Sequence, residues 1–137
     1  MHHFSIRTAD IHRAIAFYGL LGFETEVQFT TGYTLACWLQ GELGRIELIQ
    51  IPEPKPAPDC FFDEHYVGFY HISFDLTEIA ESLPDWFAKI QKQAPEPLKV
   101  LLEPQQQMIG DRVYEVMFLA DADGLPLEFI RLQSQRS

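Results

Sequence analysis

The chain repeats itself, and the repeat constrains its folding more than any single motif. HFSIRTADI, from His3 to Ile11, aligns without a gap on HISFDLTEI, from His71 to Ile79, at an offset of 68. Histidine meets histidine, Ser5 meets Ser73, Asp10 meets Glu78 and Ile11 meets Ile79. Toward the far end of each half, IELIQI (Ile46 to Ile51) aligns on LEFIRL (Leu127 to Leu132) at an offset of 81, so that Glu47 meets Glu128. A 137-residue chain built this way reads as two half-size modules sharing the work of one domain. A domain of that length buries roughly two-thirds of its unfolded surface. The longer second half is expected to carry its extra residues in interior loops.

Each half shows the same order of elements. HFSIRTA alternates as a strand; Asp10 then stands at a helix N-cap, with Ile11, Ala14, Ile15 and Tyr18 at helical spacing, and Gly19 or Gly22 closes the helix. Strand patterns follow in ETEVQFT, YTLACWLQ and RIELIQI, with turn signals at Thr31-Gly32 and Leu43-Gly44. In the second half GFYHISFDL reads as a strand. Pro84 confines the main helix to about Pro84–Gln93, with Ser82 or Leu83 at its cap and Trp86, Phe87 and Ile90 on its buried face. PLKVLLEP, RVYEVMFLA and PLEFIRL complete the set, the last two separated by the turn Asp121-Ala122-Asp123-Gly124. The expected fold is α+β: two βαβββ modules, 1–51 and 66–133, within a single domain 1–137. Between them, segment 52–65 carries Pro52, Pro54, Pro56 and Pro58 at alternate positions, which favours an extended joint. Its Phe61 and Phe62 either ride on a plain spacer or fold back as a lid or partner contact.

Ten Lys plus Arg against twenty Asp plus Glu give a formal net charge of -10. An acidic surface repels phosphate backbones, which argues against nucleic acid as a partner. No run of 18 apolar residues is present, and MHHFSIRTAD lacks the basic and apolar segments of a signal peptide, so no membrane partner is expected and the chain reads as soluble and cytoplasmic. Cys37 and Cys60 form no CxxC pair and are expected to be spectators, with Cys60 the more exposed.

The chemistry concentrates on four residues that the repeat relates. Each half opens on a histidine and closes on a strand bearing a glutamate between apolar neighbours. On a strand, Glu47 shares a face with Ile49 and Glu128 with Ile130. A carboxylate on an aliphatic face is costly unless it is paired or bound to a metal. His3, Glu47, His71 and Glu128 together make an N2O2 set suited to one divalent cation of the Zn, Ni, Fe, Co or Mn kind rather than Mg or Ca. Ordinary alternatives exist for each: a frayed terminal His3, a core or interface His71, and glutamates facing solvent on edge strands. Their coincidence in both halves favours the shared role. His2, Glu115 and His65 have no repeat counterpart and read as surface or outer-sphere groups.

HHFSIRTADIHRAIAFYGLLGFE, RIELIQ, GFYHISFDL and FLADADGLPLEFIRL resemble the vicinal oxygen chelate superfamily, which includes glyoxalase I, fosfomycin-resistance proteins, extradiol dioxygenases and methylmalonyl-CoA epimerase. The resemblance spans nearly the whole chain. It implies two βαβββ modules whose curved mixed sheets surround a metal cleft, usually in a homodimer. Residue by residue it implies metal ligands at His3, Glu47, His71 and Glu128, the full set of the glyoxalase I branch. Glu128 then matches the catalytic base and Glu47 its partner across the metal. The reaction implied is proton transfer next to a carbonyl, with the cation stabilising the oxyanion that forms.

Departures bear on the substrate. Arg7 matches an arginine that helps hold the glutathione carboxylate in glyoxalase I. The asparagine expected four residues after Glu47 is Ile51, and the basic loop before the last strands reads EPQQQMIGDRV, with Arg112 as its one candidate contact. An acidic chain with an altered clamp is a doubtful host for an anionic glutathione adduct. The expectation is therefore a metal-dependent, glyoxalase-I-like lyase or isomerase acting on a small oxygen-rich substrate, with lactoylglutathione lyase as the specific case. The rivals are a metal-poor ligand-sequestering protein of the bleomycin-resistance type and a fosfomycin-type transferase.

Overall fold

The computed structural model describes residues 1–135. Its elements follow the order β1 (Phe4–Thr8), α1 (Ile11–Leu20), β2 (Glu24–Thr31), β3 (Thr34–Gly41), β4 (Gly44–Gln50), β5 (Ile72–Asp75), α2 (Leu83–Gln93), β6 (Val100–Ile109), β7 (Arg112–Ala120) and β8 (Pro126–Gln135). The chain divides into two compact units, Met1–Ala57 and the part from Pro58 onward. Each holds one βαβββ module with its own four-stranded mixed sheet, and the α+β architecture is the expected one.

In the first unit the sheet order is β1-β4-β3-β2, with β1 parallel to β4 and the other pairs antiparallel. Alternation sends Ile6, Ile46, Leu48, Cys37 and Leu39 to one face, where all are buried against α1 with Ile11, Ala14, Phe17 and Tyr18. Phe17, not Ile15, completes the buried stripe of the helix. Asp10 caps α1 as expected: its Oδ1 accepts from the backbone N–H groups of His12 (3.0 Å) and Arg13 (3.2 Å). The Gln50 side chain, from β4, accepts from the N–H of Ile11 at 2.9 Å and so satisfies another free amide of the first turn. At the other end Gly22 takes φ +95°, the N–H of Phe23 reaches the carbonyl of Tyr18, and that of Gly22 reaches Gly19. This is a Schellman closure, with the Phe23 and Tyr18 rings 6.0 Å apart as its apolar contact. The β3–β4 hairpin turns on Glu42 and Leu43, and a Cβ at Gly41 would lie 2.6 Å from the carbonyl oxygen of Gly22.

In the second unit the order β5-β8-β7-β6 repeats the first. Phe74, Phe129, Met117, Leu127 and Leu119 form the apolar face toward α2, with Phe129 stacked on Phe74 (5.6 Å) and packed on Trp86 (4.7 Å). Leu83 and Ile90 are the buried residues of α2, while Trp86 and Phe87 are half-buried. Ser82 is the N-cap, its hydroxyl accepting from the N–H of Asp85.

Three sequence expectations change. The strand read from GFYHISFDL shrinks to Ile72–Asp75, leaving His71 just before β5, as His3 stands just before β1. The extra length of the second half is not confined to loops, because β6 runs on through EPQQQMI to Ile109. Much of it lies between β5 and α2, where residues 76–82 replace the short link 9–10. Finally, Phe61 folds back: its ring lies 5.1 Å from Phe118 and 6.3 Å from Tyr70, so the end of the Pro-rich segment packs with the second unit, while Phe62 is exposed.

Candidate metal-binding pairs

The faces turned away from the helices carry the polar residues singled out by the repeat. In the first unit one row across the sheet reads Ser5–Glu47–Trp38–Val27. Ser5 Oγ donates to Glu47 Oε1 at 2.7 Å, and Trp38 Nε1 donates to Glu47 Oε2 at 2.9 Å. His3 Nε2 lies 3.7 Å from Glu47 Oε1, and the Nδ1 atoms of His2 and His3 share a hydrogen bond of 2.7 Å. Trp38 is itself held by the edges of Phe29 and His2, with the Arg45 guanidinium 5.9 Å over its ring. The hydrogen bond from Trp38, then that from Ser5, holds the Glu47 carboxyl below the usual carboxylate range, against the opposing effect of burial.

The second unit repeats the row as Ser73–Glu128–Phe118–Leu102. Ser73 Oγ donates to Glu128 Oε1 at 2.6 Å, and His71 Nε2 lies 3.6 Å from the same oxygen. Phe118 occupies the place of Trp38 but has no N–H to offer, and among the described residues no donor reaches Oε2 of Glu128. The His71 ring is packed by Tyr70 (4.3 Å) and Phe118 (4.8 Å), and its buried Nδ1 has no hydrogen-bond partner among the described residues. Burial, then the nearby Cys60 and Glu128, pushes the Tyr70 hydroxyl up from its ordinary value.

Each module thus brings one histidine and one glutamate together. The pair separations of 3.7 and 3.6 Å are too long for hydrogen bonds. Two donors placed about 2.1 Å from one tetrahedral ion stand about 3.4 Å apart, so the spacing suits two ligands of a common cation. The imidazole–carboxylate chemistry fits such an ion as well. Among the described residues the donors stand in pairs, and no group of three or more His, Cys, Asp or Glu is arranged to hold a metal. Glu47 and Glu128 remain 16% exposed at the side chain, enough to be reached.

Arg7 shares the Glu47 face, two residues along β1 from Ser5, and its side chain is exposed. Arg112 opens β7 six residues from Phe118, roughly 20 Å along the strand, so its own module does not bring it to Glu128. Glu115 is a structural group: its Oε1 accepts from the N–H of Leu83 at 2.6 Å and from Arg131 Nε at 3.3 Å, capping α2. Cys37 and Cys60 are free thiols. Sequence reasoning missed Trp38. A two-residue turn at Glu42 and Leu43 sets Trp38 opposite Glu47, and the turn signal one residue later was the available clue.

The model of the Glyoxalase/Bleomycin resistance protein/Dioxygenase superfamily matches residues 2–93, two-thirds of the chain. The protein belongs to this superfamily. Its fold agrees with solved members of the glyoxalase group. A glyoxalase family protein from Enterococcus faecalis is 22% identical, with a TM-score of 0.69 and 96% of each chain covered. One from Bacillus cereus is 15% identical, with a TM-score of 0.70 over 98% of this chain and 94% of that one. A glyoxylase/bleomycin resistance protein/dioxygenase domain from Frankia sp. EAN1pec is 20% identical, with a TM-score of 0.68 over 98% and 92%. At these identities the likeness establishes the fold alone. A comparison with curated proteins finds no match. Among the described residues no helix is long and apolar enough to cross a membrane.

Proposed function

We propose that this superfamily member is a metal-dependent lyase or isomerase of the glyoxalase I type, working as a cytoplasmic homodimer on a small oxygen-rich substrate. One observation carries the reading: both modules build the same Ser–Glu–His cluster, with the imidazole Nε2 about one ligand spacing from the carboxylate. His3, Glu47, His71 and Glu128 would hold one divalent cation of the Zn, Ni, Fe, Co or Mn kind, two ligands from each kind of module. When bound, the cation would stabilise negative charge on a substrate oxygen. The chain supplies the proton carrier. Glu128, with one oxygen fixed by Ser73 and the other bonded to no described residue, is the carboxylate able to take a proton from a substrate carbon and return it to the neighbouring one. Arg7, exposed on the Glu47 face, is placed to meet an anionic group of the substrate.

Ile51 in place of a polar side chain and the net charge of -10 weigh against the glutathione tripeptide as the natural handle. The direct test loads the protein with Ni or Zn, supplies methylglyoxal and glutathione, and follows thioester formation. Turnover would establish lactoylglutathione lyase activity. No turnover by metal-loaded protein would eliminate that substrate, and no metal uptake would eliminate the enzymatic reading.

A further inference from the structure

We infer that Trp38 is a positioning residue that makes the two glutamates unequal, holding Glu47 as the stationary ligand and leaving Glu128 as the carboxylate that moves. The inference rests on the metal-dependent reading above. Its basis is a comparison at matched positions. Trp38 lies directly opposite Glu47 across β3 and β4, and Phe118 lies directly opposite Glu128 across β7 and β8. Both glutamates receive a serine hydroxyl from the parallel neighbour strand, at 2.7 and 2.6 Å. Among the described residues only Glu47 receives a second donor, the indole N–H at 2.9 Å, on its other oxygen.

A carboxylate hydrogen-bonded through both oxygens has its plane and rotamer set, whereas one bonded through a single oxygen can still swing about that bond. The indole is a firm support. Its ring is gripped by Phe29 (5.8 Å), His2 (5.0 Å) and His3 (5.8 Å), with Arg45 above it. Arg45 is tied in turn to Glu26 at 3.3 Å and to the carbonyl of His2 at 3.3 Å. Reorienting Glu47 would therefore disturb several side chains together. Glu128 stands opposite Phe118, whose ring offers no hydrogen bond to lose.

The test uses zinc, without substrate turnover, on the full chain. Competition against a chromogenic chelator should show Trp38→Phe binding zinc about tenfold more weakly than the unaltered protein, with Trp86→Phe unchanged within about twofold. Equal zinc affinity for Trp38→Phe would overturn the inference. Nuclear magnetic resonance of the indole N–H groups supplies a second readout that needs no folded Trp38 variant. The Trp38 resonance should shift with Glu47→Gln and stay in place with Glu128→Gln. It should also keep its protection from water exchange when acetohydroxamate, a small two-oxygen chelator, is added to the zinc-loaded protein. Loss of that protection would show Glu47 to be the mobile carboxylate and would overturn the inference. Failure of the unaltered protein to take up zinc would contradict the metal reading itself, a result distinct from both of these.

Discussion

The two modules share a backbone plan and differ in how they hold the same two side-chain arrangements. Around the glutamate, the first module surrounds Glu47 with two donors and the second gives Glu128 one. Around the helix start, the first uses Gln50 alone to reach the N–H of Ile11. The repeat puts Arg131 at the place of Gln50, and a guanidinium cannot accept from an amide. Glu115 therefore enters from β7, accepting from Leu83 and from Arg131 at once. The lesson is that strand pairing decides where a carboxylate sits, while its cross-strand neighbour decides what that carboxylate can do.

The contrast is sharpest at the glutamates. Glu128→Gln should lower turnover by about 10²–10⁴-fold, the range of a lost general base, while Glu47→Gln should act mainly through metal affinity. Steady-state kinetics at saturating metal separates the two, and an equal loss of turnover would erase the distinction between modules. Next come the cores. Phe129 stands at the repeat position of Leu48, and both are fully buried. Phe129→Ala should cost about 3–5 kcal/mol and Leu48→Ala about 2–5 kcal/mol in denaturant unfolding. Two separate transitions shifting one at a time would show that the modules unfold independently; one shared transition would show them coupled.

A smaller effect is expected at the helix caps. Glu115→Ala strips partners from both the Leu83 amide and Arg131 and should cost about 1–3 kcal/mol, against about 0.5–1.5 kcal/mol for Gln50→Ala. Equal losses would mean that the Glu115–Arg131 pair adds nothing. The smallest effect is in acid. The Glu47 carboxyl is held below its ordinary range chiefly by the Trp38 hydrogen bond. Its contribution is full above the ordinary carboxylate pKa and is lost as pH falls through the lowered folded-state value. In metal-free protein, Trp38→Phe should remove part of this acid-dependent stability, read from unfolding midpoints between neutral and acidic pH.

Much of this arrangement was legible in the sequence, because the repeat ties local pattern to topology. The cap at Asp10, the second cap at one of two candidates (Ser82 or Leu83), the order of elements and the recurrence of one histidine and one glutamate in each half follow from period and spacing; the parallel pairing that sets each histidine beside the glutamate of its own module does not. What escaped depends on register. Trp38 and Phe118 become neighbours of the glutamates only once the hairpin turns are placed to the residue, and a one-residue slip at Leu43-Gly44 hides Trp38. The continuation of β6 through its three glutamines was hidden because polar residues on an exposed edge strand look like a loop. Phe61 was ambiguous because a proline-rich approach says nothing about where its aromatic end will pack.

If the two histidine–glutamate pairs serve one divalent ion, as proposed, metal stoichiometry is decisive. Zinc titration followed by elemental analysis should give one ion per chain in the unaltered protein. Removing either pair, by His3→Ala with Glu47→Gln or by His71→Ala with Glu128→Gln, should abolish that binding. Retention of one zinc per chain at unaltered affinity after either pair is removed would contradict it.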